Sequence, residues 1–130
     1  MEGKTVLVVD DEKRIRELLE MRLVSEGYQV ILGQNGEEGV EMAKKYIPDA
    51  IIMDVMMPRM DGAEAVRLIQ EYPMTRNIPV LFLTSIITKE EENEQAFGIQ
   101  LDVSKYKFMA KPFDTPALLG EIKNMISRRA

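Results

Sequence analysis

The sequence predicts an α/β domain: a doubly wound, five-stranded parallel sheet, (βα)5, with helices on both faces. Five short apolar runs alternate with segments of helical periodicity. The runs are apolar throughout rather than at every second position, which is typical of parallel strands buried on both faces. Right-handed crossovers between successive strands then give the doubly wound arrangement. The strand order 2-1-3-4-5 suits a chain of this length, although the pattern by itself does not fix the order.

Each predicted element depends on a periodicity bounded by start or stop signals. The strands are expected at residues 5–9, 28–32, 50–54, 79–84 and 107–110. The helices are expected at residues 11–25, 37–46, from 61 onward, 89–97 and after Asp114. Their inward faces carry Ile15, Leu18, Leu19 and Leu23 in the first helix, Val40, Ala43 and Ile47 in the second, Ala65, Val66 and Ile69 in the third, and Leu118, Leu119, Ile122, Met125 and Ile126 in the last.

The helix ends carry recognisable residues. Gly27 follows the first helix and Pro48 stops the second. Asp114 is a good N-cap for the last helix. The spacing of a capping box occurs at two predicted helix starts, in Asp61 with Glu64 and in Thr88 with Glu91.

Composition narrows the class of protein. A chain of 130 residues with 45% hydrophobic and 30% charged residues is expected to form one domain. The last predicted helix runs nearly to Arg128-Arg129-Ala130, so no output domain is visible in this sequence; a stand-alone domain and the N-terminal piece of a larger protein would look the same. The net charge of −5 argues against direct nucleic-acid binding, which needs a basic face. No apolar run resembles a signal-peptide core or a membrane span, so we expect a cytoplasmic protein without membrane contact.

The chain contains neither cysteine nor histidine. This excludes disulfides, thiolate or imidazole metal sites and catalytic triads built on histidine. Phosphohistidine likewise cannot form on this chain.

Three carboxylates are predicted to meet at one edge of the sheet. Asp10 and Asp11 follow the first strand, and Asp54 ends the third. The carboxyl ends of parallel strands form the crevice in which open α/β sheets bind ligands. Clustered carboxylates repel one another, so they should hold a proton or a divalent cation, and oxygen ligands favour Mg²⁺ or Mn²⁺. Alternatively, Asp10 or Asp11 merely caps the first helix.

Two further polar residues follow strands at the same edge. Lys111 comes after the fifth strand and Thr84 ends the fourth. A lysine there can place its ammonium on a bound phosphoryl group, and a threonine can donate its hydroxyl. Taken singly, Lys111 is better explained as a surface lysine and Thr84 as an ordinary strand end. Together with the carboxylates they indicate a Mg²⁺-dependent phosphoryl site.

Four blocks, in this order and at this spacing, resemble the response-regulator receiver domain of two-component signalling, a chemotaxis-regulator-like domain of flavodoxin-like fold. They are Val8-Val9-Asp10-Asp11-Glu12, Ile52-Met53-Asp54-Val55-Met56-Met57-Pro58-Arg59-Met60-Asp61-Gly62, Pro79-Val80-Leu81-Phe82-Leu83-Thr84-Ser85 and Phe108-Met109-Ala110-Lys111-Pro112-Phe113. The resemblance covers about residues 4–128.

The resemblance implies a role for each of these positions. Asp54 would be the phospho-acceptor, Lys111 would neutralise a phosphoryl oxygen, and Thr84 would hydrogen-bond the phosphoryl group. Mg²⁺ would be held by Asp11, Asp54 and the backbone carbonyl of Met56, with Asp10 acting through water. The resemblance further implies a cis Lys111–Pro112 bond.

The resemblance also implies partners. A sensor histidine kinase or a histidine phosphotransfer protein would supply the phosphoryl group. A downstream protein would bind the face formed by the fourth helix, fifth strand and fifth helix. The chain would thus be a signalling switch that catalyses its own phosphorylation and slow dephosphorylation, rather than an enzyme in the usual sense.

The sequence departs from the family pattern in two places. The switch position paired with Thr84, which is usually tyrosine or another aromatic residue, is Phe108, and it lacks a hydroxyl. The segment 98–107 is about five residues longer than usual and lacks the common Gly-Ala-Asp-Asp turn. Two positions that border the approach of water in this family are Met56 and Ile86, whose apolar side chains predict slow self-dephosphorylation.

Two other functions compete with this interpretation. A phosphatase of the haloacid dehalogenase type also uses an aspartate at a strand end, but its general acid would stand two residues later, where Met56 cannot donate a proton. A flavin- or nucleotide-binding domain would need a glycine-rich phosphate loop after the first strand, where Asp10-Asp11-Glu12 stands instead.

Overall fold

The computed structural model describes residues 3–85 and 106–129 of the chain. Strands and helices alternate through most of this part, and every strand contains five residues. The elements are β1 (Thr5–Val9), α1 (Lys13–Ser25), β2 (Gln29–Gly33), α2 (Gly36–Tyr46), β3 (Ala50–Asp54), α3 (Gly62–Glu71), β4 (Val80–Thr84), β5 (Tyr106–Ala110) and α4 (Thr115–Arg129).

The strands form one parallel sheet in the order β2-β1-β3-β4-β5. Val9 is opposite Met53, Asp54 is opposite Leu83, and Thr84 is opposite Ala110. All the strands therefore end at the same edge of the sheet. The predicted fold class and strand order are confirmed.

Helices cover both faces of the sheet. The first core cluster contains the buried residues of α2 and α3, and the second contains those of α1 and α4. The apolar residues predicted to face inward lie in these clusters, with one exception. Leu18 is 36% exposed, because α1 packs through Leu19 and Leu23, which are fully buried.

The helix starts agree only in part with the predictions. Asp61 accepts a hydrogen bond from the Glu64 amide (2.8 Å), and Asp114 accepts one from the Ala117 amide (3.0 Å), so both are N-caps as expected. α1 begins at Lys13 instead of residue 11, and its N-cap is Glu12. The alternative that Asp10 or Asp11 serves as that cap is therefore wrong.

Several predictions fall on residues that are not described. These are the fourth predicted helix at 89–97 with its Thr88–Glu91 start, the position of Ile86, and the segment 98–107 except for Tyr106 and Lys107. Within the described residues, no helix combines the length and the apolar character needed to span a bilayer.

Candidate functional site

The residues predicted to form a site lie at the carboxyl edge of the sheet, in or directly after their strands. Backbone hydrogen bonds continue past the strand ends and fix their positions there. The Asp10 amide donates to the Gly33 carbonyl (3.2 Å), and the Lys111 amide donates to the Thr84 carbonyl (2.8 Å). We call Asp10, Asp11, Asp54, Thr84 and Lys111 the strand-end site.

Lys111 is the cation at the centre of this site. Its Nζ lies 2.8 Å from Asp10 Oδ2 and 3.4 Å from both Asp54 Oδ1 and Glu12 Oε1. The lysine side chain is only 11% exposed. Burial by itself would lower the pKa of Lys111, but the hydrogen bond and charge of Asp10, with the charges of Asp54 and Glu12, raise the pKa above its ordinary value. Lys111 therefore stays protonated, and its ammonium is shared among three carboxylates. The Lys111–Pro112 bond is cis, as expected.

Asp10 is held by contacts at both its side chain and its backbone. Its Oδ1 accepts a hydrogen bond from the Glu12 amide (2.9 Å), and its carbonyl accepts one from the Arg16 guanidinium (2.7 Å). Sequence reasoning gave no role to Glu12 or Arg16. Glu12 adjoins the acidic pair and was therefore detectable, whereas the contact of Arg16 with the Asp10 carbonyl depends on how α1 packs against β1.

Asp54 is a buried carboxylate with an unusual proton affinity. Burial, followed by the charge of Asp10, raises the pKa of Asp54 from 3.8 to about 7, although Lys111 opposes the rise. Hydrogen bonding with the Asp11 side chain contributes in the same direction. One lysine therefore does not supply enough positive charge to keep this carboxylate fully ionised near neutral pH.

A divalent cation fits this arrangement of donors. Among the described residues, the carboxylate oxygens of Asp10, Asp11 and Glu12 come within 4.8 Å of one another. Asp54 is not one of these three, but the charge of Asp10 and a side-chain hydrogen bond with Asp11 both act on its carboxyl group and raise its pKa. Hard oxygen donors with excess negative charge are the ligands that Mg²⁺ and Mn²⁺ prefer. The residues present thus suit the cation that the sequence predicted.

The β3–α3 loop (residues 55–61) follows Asp54 and closes onto the strand end. Gly62 donates its amide to the Val55 carbonyl (3.0 Å). A Cβ at position 62 would collide with the Asp54 carbonyl oxygen, so only glycine allows this close approach. Met56, whose amide lies 3.4 Å from Asp54 Oδ1, has a side chain exposed to solvent; 52% of the residue is accessible.

Thr84 and Phe108 lie on adjacent strands near the site. Thr84 is buried, whereas Phe108 is half-buried. The Phe108 ring stacks on Phe82, with 5.2 Å between the ring centroids and 16° between the planes. The Tyr106 ring also contacts the Phe82 ring, with 5.6 Å between the ring centroids. Phe82 and Thr84 share one face of β4, so the aromatic cluster lies on the face to which the Thr84 side chain belongs.

Comparison with known sequences identifies the family. The profile of the response regulator receiver domain matches residues 6–123. The chain is 36% identical, over 126 residues, to the alkaline phosphatase synthesis transcriptional regulatory protein PhoP of Bacillus subtilis. The match covers 97% of this chain and 50% of PhoP, so the chain spans about half the length of that relative.

Solved structures give the same result. The chemotaxis protein CheY4 of Vibrio cholerae is 32% identical, with a TM-score of 0.80 and coverage of 94% of this chain and 98% of CheY4. The receiver domain of the sensor histidine kinase PA1611 from Pseudomonas aeruginosa is 30% identical, with a TM-score of 0.80 and coverage of 96% of this chain and 98% of that one. In the PA1611 structure a magnesium ion is coordinated in the active-site cleft. The chain described here belongs to the response regulator receiver domains of two-component systems.

Proposed function

We propose that this domain accepts a phosphoryl group on Asp54 from the phosphohistidine of a partner, either a sensor histidine kinase or a histidine phosphotransfer protein. The observation that carries the proposal is the buried carboxylate at the end of β3, with the Lys111 ammonium 3.4 Å from its Oδ1. Family membership supports the same conclusion, since receiver domains act with histidine kinases. The partner supplies the histidine that this chain lacks.

The transfer is a displacement at phosphorus. A carboxylate oxygen of Asp54 attacks, and the new P–O bond forms as the P–N bond of the phosphohistidine breaks. The electron pair of that bond stays on the imidazole nitrogen, which takes up a proton. The Lys111 ammonium lies where it can neutralise negative charge on the phosphoryl oxygens. Phosphoryl transfer depends mainly on positioning the reactants and neutralising this charge.

Mg²⁺ is the cofactor that we propose for the transfer, with Mn²⁺ as a substitute. Asp11 and Asp54 would hold it through their side chains, Met56 through its backbone carbonyl and Asp10 through water. When bound, the cation supplies the positive charge that Asp54 lacks, and it favours the ionised nucleophile. Binding should therefore lower the pKa of Asp54 from about 7.

Thr84 and Phe108 would transmit phosphorylation to the surface. The Thr84 hydroxyl would hydrogen-bond a phosphoryl oxygen, and Phe108 would then pack further inward, which shifts a two-state equilibrium. The output face, made of the predicted fourth helix, β5 and α4, would bind a downstream protein. The phosphoryl mimic beryllofluoride should therefore move amide chemical shifts throughout β5. Shifts confined to residues that touch Asp54 would contradict the proposed transmission.

Labelling by a small phosphodonor tests the proposed nucleophile. Acetyl phosphate with Mg²⁺ should add one phosphoryl group, measured by intact-mass spectrometry, and Asp54→Asn should abolish the addition. Asp49→Asn is the matched control, because Asp49 accepts a hydrogen bond from the Thr5 amide at the opposite edge of the sheet (2.8 Å) and lies far from Lys111. Labelling of Asp54→Asn at the parent's rate would show that another residue is the acceptor.

A further inference from the structure

The N-terminus of α2 lies directly against the β3–α3 loop. A Cβ added to Gly36 would lie 2.8 Å from the Met60 carbonyl oxygen and 2.9 Å from Met60 Cγ. Real Cβ atoms essentially never come so close to other heavy atoms. Because the first obstacle is a backbone atom, a side-chain rotation cannot relieve it. Any side chain at position 36 has to displace the loop or the helix.

Other contacts prevent the loop from moving away freely. Within the loop, the Met60 amide donates to the Pro58 carbonyl (2.8 Å), which stiffens the loop without tying it to its surroundings. Gly62 closes the far end of the loop against Asp54. Arg59 has a left-handed backbone (φ 72°), and its guanidinium lies 3.4 Å from Glu37 Oε1 on α2. That ion pair is exposed and contributes little energy. The glycine contacts, not the ion pair, therefore fix the loop.

We propose that Gly36 is a positioning residue for the cation site. By letting α2 press against Met60, it holds the β3–α3 loop so that the Met56 backbone stays beside the Asp54 carboxylate, where the Met56 amide is now 3.4 Å from Oδ1. The inference rests on the proposed function, in which Met56 contributes its carbonyl to Mg²⁺. It adds α2, which supplies no ligand, to the parts of the fold that determine cation affinity.

Gly39 provides a control for general destabilisation. It is also in α2, and a Cβ there would lie 2.9 Å and 3.2 Å from the two methyl carbons of Val9. That obstacle is a core side chain on β1 and not the loop. Gly36→Ala and Gly39→Ala should both lower the free energy of unfolding, because each introduces overpacking. Only Gly36→Ala should disturb the cation site.

The experiment compares Mg²⁺ binding by the parent, Gly36→Ala and Gly39→Ala, using isothermal titration calorimetry, after circular dichroism has shown that each is folded. Gly36→Ala should weaken Mg²⁺ binding by about tenfold, the lower end of the effect of disturbing groups that orient metal ligands. Gly39→Ala should weaken it by less than about twofold. The Met56 amide resonance should shift in Gly36→Ala alone.

A second variant keeps the test decisive if Gly36→Ala does not fold. Met60→Ala removes the Met60 side chain that packs against Gly36 and adds no atoms. It should also weaken Mg²⁺ binding. Parent-like affinity in the folded Gly36→Ala protein, or in Met60→Ala if Gly36→Ala is unfolded, would overturn the inference. So would an equal loss in Gly39→Ala. Failure of the proposed function is distinguishable, because the parent itself would then not bind Mg²⁺, or Asp54→Asn would bind it as tightly as the parent.

Discussion

Replacing Asp54 by asparagine should stabilise the metal-free protein, and the gain should grow with pH. The native structure raises the pKa of Asp54 from 3.8 to about 7, first through burial and then through the charge of Asp10. The native state therefore holds this proton more tightly than the unfolded chain does. Stability must fall as pH rises between the two pKa values, because the unfolded state gains from ionising while the native state does not.

The size of the effect follows from these two pKa values. The penalty is absent below pH 3.8 and is fully present above about pH 7, where it reaches about 4 kcal/mol at about 1.4 kcal/mol per pH unit. Between pH 5 and pH 8 the penalty grows by roughly 2–3 kcal/mol. Asparagine carries no charge, so the Asp54→Asn protein does not have this penalty. The free energy of unfolding of Asp54→Asn minus that of the parent should widen by this amount over the same interval.

Urea unfolding followed by circular dichroism measures this difference at pH 5 and pH 8, with EDTA present to remove divalent cations. Asp114→Asn controls for the amide replacement, since Asp114 is exposed and asparagine caps a helix equally well. A difference between Asp54→Asn and the parent that stayed constant with pH would refute the reasoning. It would mean that the buried carboxylate is ionised as readily in the native state as in the unfolded chain.

Two further predictions concern the loop and the lifetime of the phosphorylated state. Gly62→Ala should lower the free energy of unfolding by roughly 2–4 kcal/mol, because its Cβ would collide with the Asp54 carbonyl oxygen. Gly120→Ala, where a Cβ meets nothing within 4 Å, should raise it by about 0.5–1 kcal/mol; equal effects in urea unfolding would contradict this. Replacing Met56 by Asn together with Ile86 by Glu should speed phosphate release about tenfold, roughly 1.4 kcal/mol in the barrier. Release no faster than in the parent, measured by loss of the phosphoryl mass, would show that another element excludes water.

Local sequence predicted much of the fold, because the signals for individual elements act over a few residues. Asp61 and Asp114 cap their helices through amides three positions away, at 2.8 and 3.0 Å. Val66 and Ile69 are buried as helical spacing requires. Leu18 has the same helical spacing but is 36% exposed. The number of residues that a helix buries along its apolar face depends on how closely the helix approaches the sheet. That approach is a property of the packed molecule.

The sequence alone determined which residues lie at the carboxyl edge of the sheet, because parallel strands must all end on one side. Tertiary structure decided how those residues interact. Lys111 lies 2.8 Å from Asp10, from which it is 101 positions distant in the chain, and it reaches Glu12, to which sequence reasoning gave no role. The raised pKa of Asp54 and the contact between Gly36 and Met60 could not be predicted from the sequence either. Desolvation, charge coupling and close packing depend on distances between segments far apart in sequence, and only folding sets those distances.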